Sequence, residues 1–443
     1  MALGFSMIVT FMILIMTKRL SPMVALSLIP VAFALSAGFP VDAVGKMMID
    51  GVRTLAPTGV MLMFAILYFG VMIDAGMFDP AIRAIVRLVG ADPLKVVVGT
   101  AVLAAVVSLD GDGSTTYMIT VAAMLPLYQR LRMSALNLTC VAMLAGGVMN
   151  MTPWGGPLAR AASALQVEPS AIFLPMLPAM AAGVAGVIAL SFILGGQERR
   201  RLGRLTLDDA NADPFVDDGL IEATALVRAQ PEARVGGRPR LVWVNAALTL
   251  ALMAALVADA MPVAILFMLG FSAALMINYP RIEDQRRTIA SHAANVVSVV
   301  AIIFAAGIFT GILSGTGMVE AMSRGLLGIV PPAWGPYLAP ITAVVSMPFT
   351  FFLSNDAFYF GALPVIAETA QQYGISNAEM ARAALVGQPV HLLSPLVPST
   401  YLLVGLAGVE LGDHQRFTLK WAVLICVLIG VVAMLTGAFP MTA

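Results

Sequence analysis

Apolar runs long enough to cross a bilayer follow one another along this chain, and in two of them polar residues with carboxylates break the run at its middle. The first break is V-S-L-D-G-D-G-S-T-T-Y-M-I-T, with Asp110 and Asp112. The second is F-F-L-S-N-D-A-F-Y-F-G, with Ser354, Asn355 and Asp356. Hydrocarbon offers no water to backbone N–H and C=O groups, so only helices or a closed barrel can span it. Alternation at period two, which a barrel would need, is missing. Only 11% of the residues are charged, against about 25% in soluble domains. The chain therefore reads as an all-α polytopic membrane protein surrounded by lipid. A carboxylate near the bilayer midplane costs roughly 2.5–3.5 kcal/mol on insertion scales. Accepting that cost twice points to an ion or a charged solute.

Windows of about 20 residues place crossings near 3–17, 22–39, 57–75 and 171–195, and again near 241–257, 262–278, 293–314 and 418–437. Amphipathic pieces at 78–91 and 317–330 suit the interface. The stretches 93–129 and 336–372 have arms too short for full spans around their polar breaks, so each reads as a re-entrant hairpin. Two further segments are broken helices: 134–165, interrupted by N-M-T-P-W-G-G-P, and 379–407, interrupted by L-L-S-P-L-V-P-S. The hydrophilic stretch 197–240 mixes charges with Gly and Pro and reads as a cytoplasmic linker. It separates a first half, 1–196, from a second, 241–443.

The halves repeat. Gly70, Gly76, Met77 and Arg83 recur 241 positions later as Gly311, Gly317, Met318 and Arg324, and Tyr117, Ser134, Ala142 and Pro153 recur 242 positions later as Tyr359, Ser376, Ala384 and Pro395. Five crossings and one hairpin per half is an odd number, so the second half enters the membrane inverted. With both termini outside, 20 of the 25 lysines and arginines fall on the inner side, a strong positive-inside bias. The N-terminus then reads as a first crossing rather than a cleaved signal, because Lys18 and Arg19 follow its apolar run. Inverted repeats with paired discontinuous helices mark a transporter whose site lies at the midplane.

At each hairpin tip a helix restarts and exposes backbone N–H groups. Ser114 and Thr115 open one restart, Ser354 and Asn355 the other. These are good capping residues, but two inward N-termini also make an anion site. Asp110, Asp112 and Asp356 are either local caps or handlers of a cation or proton, and Asp112 and Asp356 are the candidate metal contacts. Asn150, Ser394 and Thr400 bring side-chain oxygens to the unwound segments. Arg160 suits bidentate carboxylate recognition unless it snorkels to the interface. His391 is placed either to relay protons or to pack. His292 and His414 fall at cytoplasmic ends and read as bland. Cys140 and Cys426 read as small core residues. Zero net charge gives no reason to expect nucleic acid.

The strings L-D-G-D-G-S-T-T-Y-M-I-T, P-W-G-G-P-x-x-R-A-A, L-S-N-D-A-F-Y-F-G-x-L-P and H-L-L-S-P-L-V-P-S-T-Y-L-L-V-G-L-A resemble the citrate–metal:proton symporter (CitMHS) family of the ion transporter superfamily. That resemblance covers essentially the whole chain. It implies uptake of citrate complexed with Mg²⁺ or Ca²⁺, driven by protons, with the divalent cation co-transported and no tightly bound cofactor. It also implies a homodimer in the inner membrane with an elevator-like transport domain. The alternative is a sodium-coupled di- or tricarboxylate carrier of the same superfamily. An intramembrane protease is disfavoured: the chain has no H-E-x-x-H, and G-I-L-S-G at 311–315 misses the G-x-S-G spacing.

Overall fold

The computed structural model describes residues 1–90, 92–202, 241–328 and 331–443. Most of the expected linker, 203–240, therefore lies outside the described residues. The first half runs α1 (Ala2–Met16), α2 (Pro22–Ser36), α3 (Val41–Asp74), α4 (Asp79–Val89), α5 (Pro93–Val107), α6 (Gly113–Arg130), α7 (Ala135–Met149), α8 (Gly156–Leu165) and α9 (Pro169–Leu202). The second runs α10 (Val242–Val257), α11 (Val263–Asn278), α12 (Ile282–Gly315), α13 (Met318–Leu327), α14 (Leu338–Phe352), α15 (Leu363–Gln371), α16 (Asn377–Leu385), α17 (Gln388–His391), α18 (Pro398–Ala407) and α19 (Leu411–Leu435). Among the described residues no strand occurs, and six helices are long and apolar enough to cross a membrane. The fold is all-helical, as composition required.

The helix ends have local causes. Ser21 caps α2 with Pro22 at its first position, and Asp92 caps α5 with Pro93 in the same role. A capping box of Ser376 and Glu379 starts α16. After α5 the chain makes a short 3₁₀ turn, Ser108–Asp110, and then reverses through Gly111 at φ +78°. A Cβ at Gly111 would also sit 2.9 Å from the Trp154 ring, so both backbone and space require glycine there. Past Ser354 the chain restarts as a helix whose residues Ala357–Ala362 are π-helical, leading into α15.

Two helices organise the whole. α3 and α12 are each 34 residues long, longer than the spans expected from hydropathy at 57–75 and 293–314. Both begin with polar turns that extend the helix beyond its apolar stretch, which a hydropathy window does not register. They begin 241 residues apart and end 241 apart. They pack antiparallel, since Gly51 meets Gly307 and Gly311, Gly59 meets Phe304, and Gly70 meets His292. A Cβ on Gly51 would fall on the Gly307 carbonyl oxygen, and one on Gly311 on that of Met47. Small residues at four-residue spacing let the backbones touch, which is how helices associate where lipid supplies no hydrophobic drive. Large apolar side chains such as Ile13, Leu28, Leu250, Leu269 and Leu435 remain exposed on the outside. That is the expected arrangement when the solvent is hydrocarbon.

Candidate functional site

A cavity of about 1010 Å³ opens between α3, α6 and α12. Ser114, Thr115, Met118, Ala122, Leu125 and Gln129 line it from α6, at the spacing of one helix face along nearly the full helix. Phe69, Gly70, Ile73 and Asp74 contribute from α3, and Ser291, His292, Asn295 and Ser298 from α12. The turn between α5 and α6 supplies Asp110, Gly111 and Asp112, and Trp154, Gly156 and Arg160 complete the wall.

The turn is held firmly. The Trp154 indole N–H donates to the Leu109 carbonyl at 2.8 Å, while its ring packs on Phe69 and Phe267. Asp112 caps α6: its carboxylate accepts from the N–H groups of Ser114 and Thr115 at 3.1 Å each and from the Thr115 hydroxyl at 2.6 Å. The helix N-terminus expected to receive an anion thus already holds a carboxylate of the chain. One Asp110 oxygen accepts the Asp112 N–H at 2.9 Å, and the other is buried with no hydrogen-bond partner among the described residues.

Arg160 is the cationic side chain at this end of the cavity. Its Nε donates to Asp356 Oδ1 at 2.6 Å, and Nη1 donates to the Gly156 carbonyl at 3.1 Å. The Arg160 and Asp356 side chains are 21% and 11% exposed. The ion pair therefore joins α8 to the S-N-D break of the other half, with both side chains largely buried. Arg382, the other arginine within a segment, donates instead to the carbonyls of Ala171 and Ala438, a structural role.

Several other expected site residues face inward to the protein rather than the cavity. Ser354 accepts the Ala357 N–H at 3.1 Å and so caps the second restart. Asn355 accepts from Gln388, whose amide also donates to the Tyr359 hydroxyl at 2.8 Å. Asn150 ends α7. Buried Ser394 accepts the Leu396 N–H, and buried Thr400 donates to the Leu392 carbonyl. His391 Nδ1 lies 2.7 Å from the Thr350 carbonyl. These bonds occupy Ser394, Thr400 and His391 of the second broken segment, whereas Thr152 Oγ1 and Gln388 Oε1 are buried with no hydrogen-bond partner among the described residues.

Sequence reasoning missed the opposite wall. His292 Nε2 lies 2.8 Å from Asp74 Oδ2, and both line the cavity. A signal was present: Ser291, His292, Asn295 and Ser298 carry a polar stripe at helical spacing from the polar first turns of α12 into its apolar stretch. His414, by contrast, is buried against Thr139 and Met143.

Similarity to known proteins extends over nearly the whole chain. The CitMHS family model, described as citrate transporter, matches residues 11–387. A citrate transporter of Bacillus subtilis (strain 168) is 57% identical over 435 residues, 98% of each chain. A Mg(2+)/citrate complex secondary transporter of the same organism is 50% identical over 441 residues, 99% of each chain. Among solved structures, the YdaH transporter of Alcanivorax borkumensis has a TM-score of 0.50 at 15% identity over 89% of both chains. MtrF of Neisseria gonorrhoeae has a TM-score of 0.52 at 13% identity, over 89% of this chain and 84% of its own. At such identity these two structures speak for the fold alone.

Proposed function

The chain belongs to the CitMHS citrate transporter family, and from that premise we propose a proton-driven carrier that takes up citrate as a complex with a divalent cation, by alternating access. The observation that carries the reading is the Arg160–Asp356 pair, whose arginine lines the same cavity as Asp110, a cavity large enough for such a complex. Arg160 supplies the planar donors that suit a carboxylate. Asp110 supplies a buried oxygen with no partner among the described residues, the place where a proton or a small cation restores the missing contact. A relative that transports a Mg(2+)/citrate complex supports a metal complex as the substrate.

The far end of the cavity reaches Asp74 and Gln129, near Arg130, Arg281, Arg286 and Arg287. By the positive-inside rule that end faces the cytoplasm, so the cavity is the inward path of a carrier in the plasma membrane with both termini outside. Equal lengths and antiparallel packing of α3 and α12 support two inverted halves. The broken segments then bring their turns to the midplane.

Proteoliposome uptake of labelled citrate tests this. Uptake is expected with Mg²⁺ or Ca²⁺ and an inward proton gradient, in the absence of sodium. Uptake that needs sodium and ignores divalent metal would replace this reading with a sodium-coupled carrier.

A further inference from the structure

We propose that the substrate exchanges partners with the Arg160–Asp356 ion pair: a citrate carboxylate takes Arg160, the divalent cation bound to that citrate takes Asp356, and the pair is what makes the carrier demand a metal. This rests on the citrate reading above. Arg160 lines the cavity and Asp356 lies directly behind it, 2.6 Å from its Nε. A carboxylate that enters to claim the guanidinium has to compete with Asp356, which already occupies it. Asp356 is only 11% exposed and does not line the cavity, so once Arg160 is drawn away that carboxylate has little water to replace it.

The two possible ligands then differ sharply. Metal-free citrate would satisfy Arg160 but leave Asp356, a carboxylate only 11% exposed, without its cation. The metal complex brings an anion and a cation together, so both halves of the pair are re-paired in one event. A hard cation suits a carboxylate oxygen and tolerates ligands shared between citrate and protein. Specificity here comes from the charge left unpaired by the wrong ligand as much as from contacts to the right one.

The test compares citrate uptake in proteoliposomes with Mg²⁺ and with EDTA. The wild-type ratio should strongly favour Mg²⁺. In Asp356→Asn the carboxylate that free citrate would strand is gone, and the ratio should fall by about tenfold or more. Asp356→Glu keeps the charge and should keep the preference for metal. Because Asp356→Asn leaves Arg160 without its partner, the double variant Arg160→Gln with Asp356→Asn provides a second measurement. In that variant, thermal stabilisation of the purified protein by citrate should be the same with Mg²⁺ and with EDTA. A wild-type metal preference in either neutralised variant overturns the inference while leaving citrate transport standing. Wild-type uptake indifferent to Mg²⁺ overturns it too. Wild-type protein that takes up no citrate under any condition overturns the functional reading and this inference with it.

Discussion

His292 Nε2 lies 2.8 Å from Asp74 Oδ2 and ties α12 to α3 at the arginine-rich end of the cavity. The imidazole rests on Gly70, where a Cβ would come within 2.7 Å of the ring. The Asp74 side chain is only 12% exposed. Truncating the imidazole strands that carboxylate, at a cost of about 1–3 kcal/mol. His292→Ala is expected to lower the thermal midpoint in detergent and to slow uptake, and His292→Gln, which can still donate, to recover part of both. Gly70→Val should resemble His292→Ala, because the added side chain displaces the ring. An unchanged midpoint in His292→Ala would show that the contact contributes nothing to holding α3 against α12.

Asp112 spends its oxygens on the first turn of α6. If capping is its work, Asp112→Asn retains most activity, because an amide oxygen still accepts a backbone N–H. Asp112→Ala loses the cap and about 1 kcal/mol of stability. The order wild type, Asn, Ala should hold for both melting and uptake. An Asn variant that is stable but as inactive as Ala would instead assign the charge of Asp112 to transport.

Local chemistry carried most of what the sequence disclosed. The breaks at Gly111, Trp154–Gly156 and Pro395–Pro398 are legible because Gly and Pro change backbone geometry wherever they sit. The spacing from Asp112 to Ser114 and Thr115 is that of a cap, and a cap is what forms. Partners distant in the chain were not legible. Arg160 and Asp356 are 196 residues apart, and no local pattern says that one guanidinium will find that carboxylate. His292 reads as bland in the sequence for a different reason. Hydropathy started the crossing at 293, one residue past it, whereas the helix begins at Ile282. The oxygens of Ser394 and Thr400 looked available because unwinding was legible while the hydrogen bonds that consume them were not.

The crossing of α3 and α12 leaves no room for side chains at Gly51, Gly307 and Gly311. Gly51→Leu forces the backbones apart, and overpacking of this kind costs about 1–3 kcal/mol or more. The expected result is a lower midpoint and lower yield of folded protein. Gly45→Leu is the control on the same helix, since a Cβ there meets nothing within 4 Å. Equal stability of the two variants would mean that the close approach is not needed to hold the helices together.

Asp110 offers the sharpest separation of binding from coupling. One of its oxygens fixes the turn through the Asp112 N–H, and the other is buried without a partner among the described residues. Asp110→Asn can keep the first bond through its carbonyl oxygen and fills the second position with an amide, which neither accepts nor releases a proton near neutral pH. Arg160 and Asp356 are untouched by the change, so the citrate complex should still bind. The variant is therefore expected to exchange labelled for unlabelled citrate across proteoliposomes at a rate within a few-fold of wild type, while an inward proton gradient no longer accelerates net uptake. Both assays use the same vesicles and differ only in whether citrate is present inside. Gradient-driven uptake that survives in Asp110→Asn would move the proton site elsewhere, with Asp356 the next carboxylate to neutralise. Loss of exchange together with net uptake would instead mean that Asp110 holds the substrate itself.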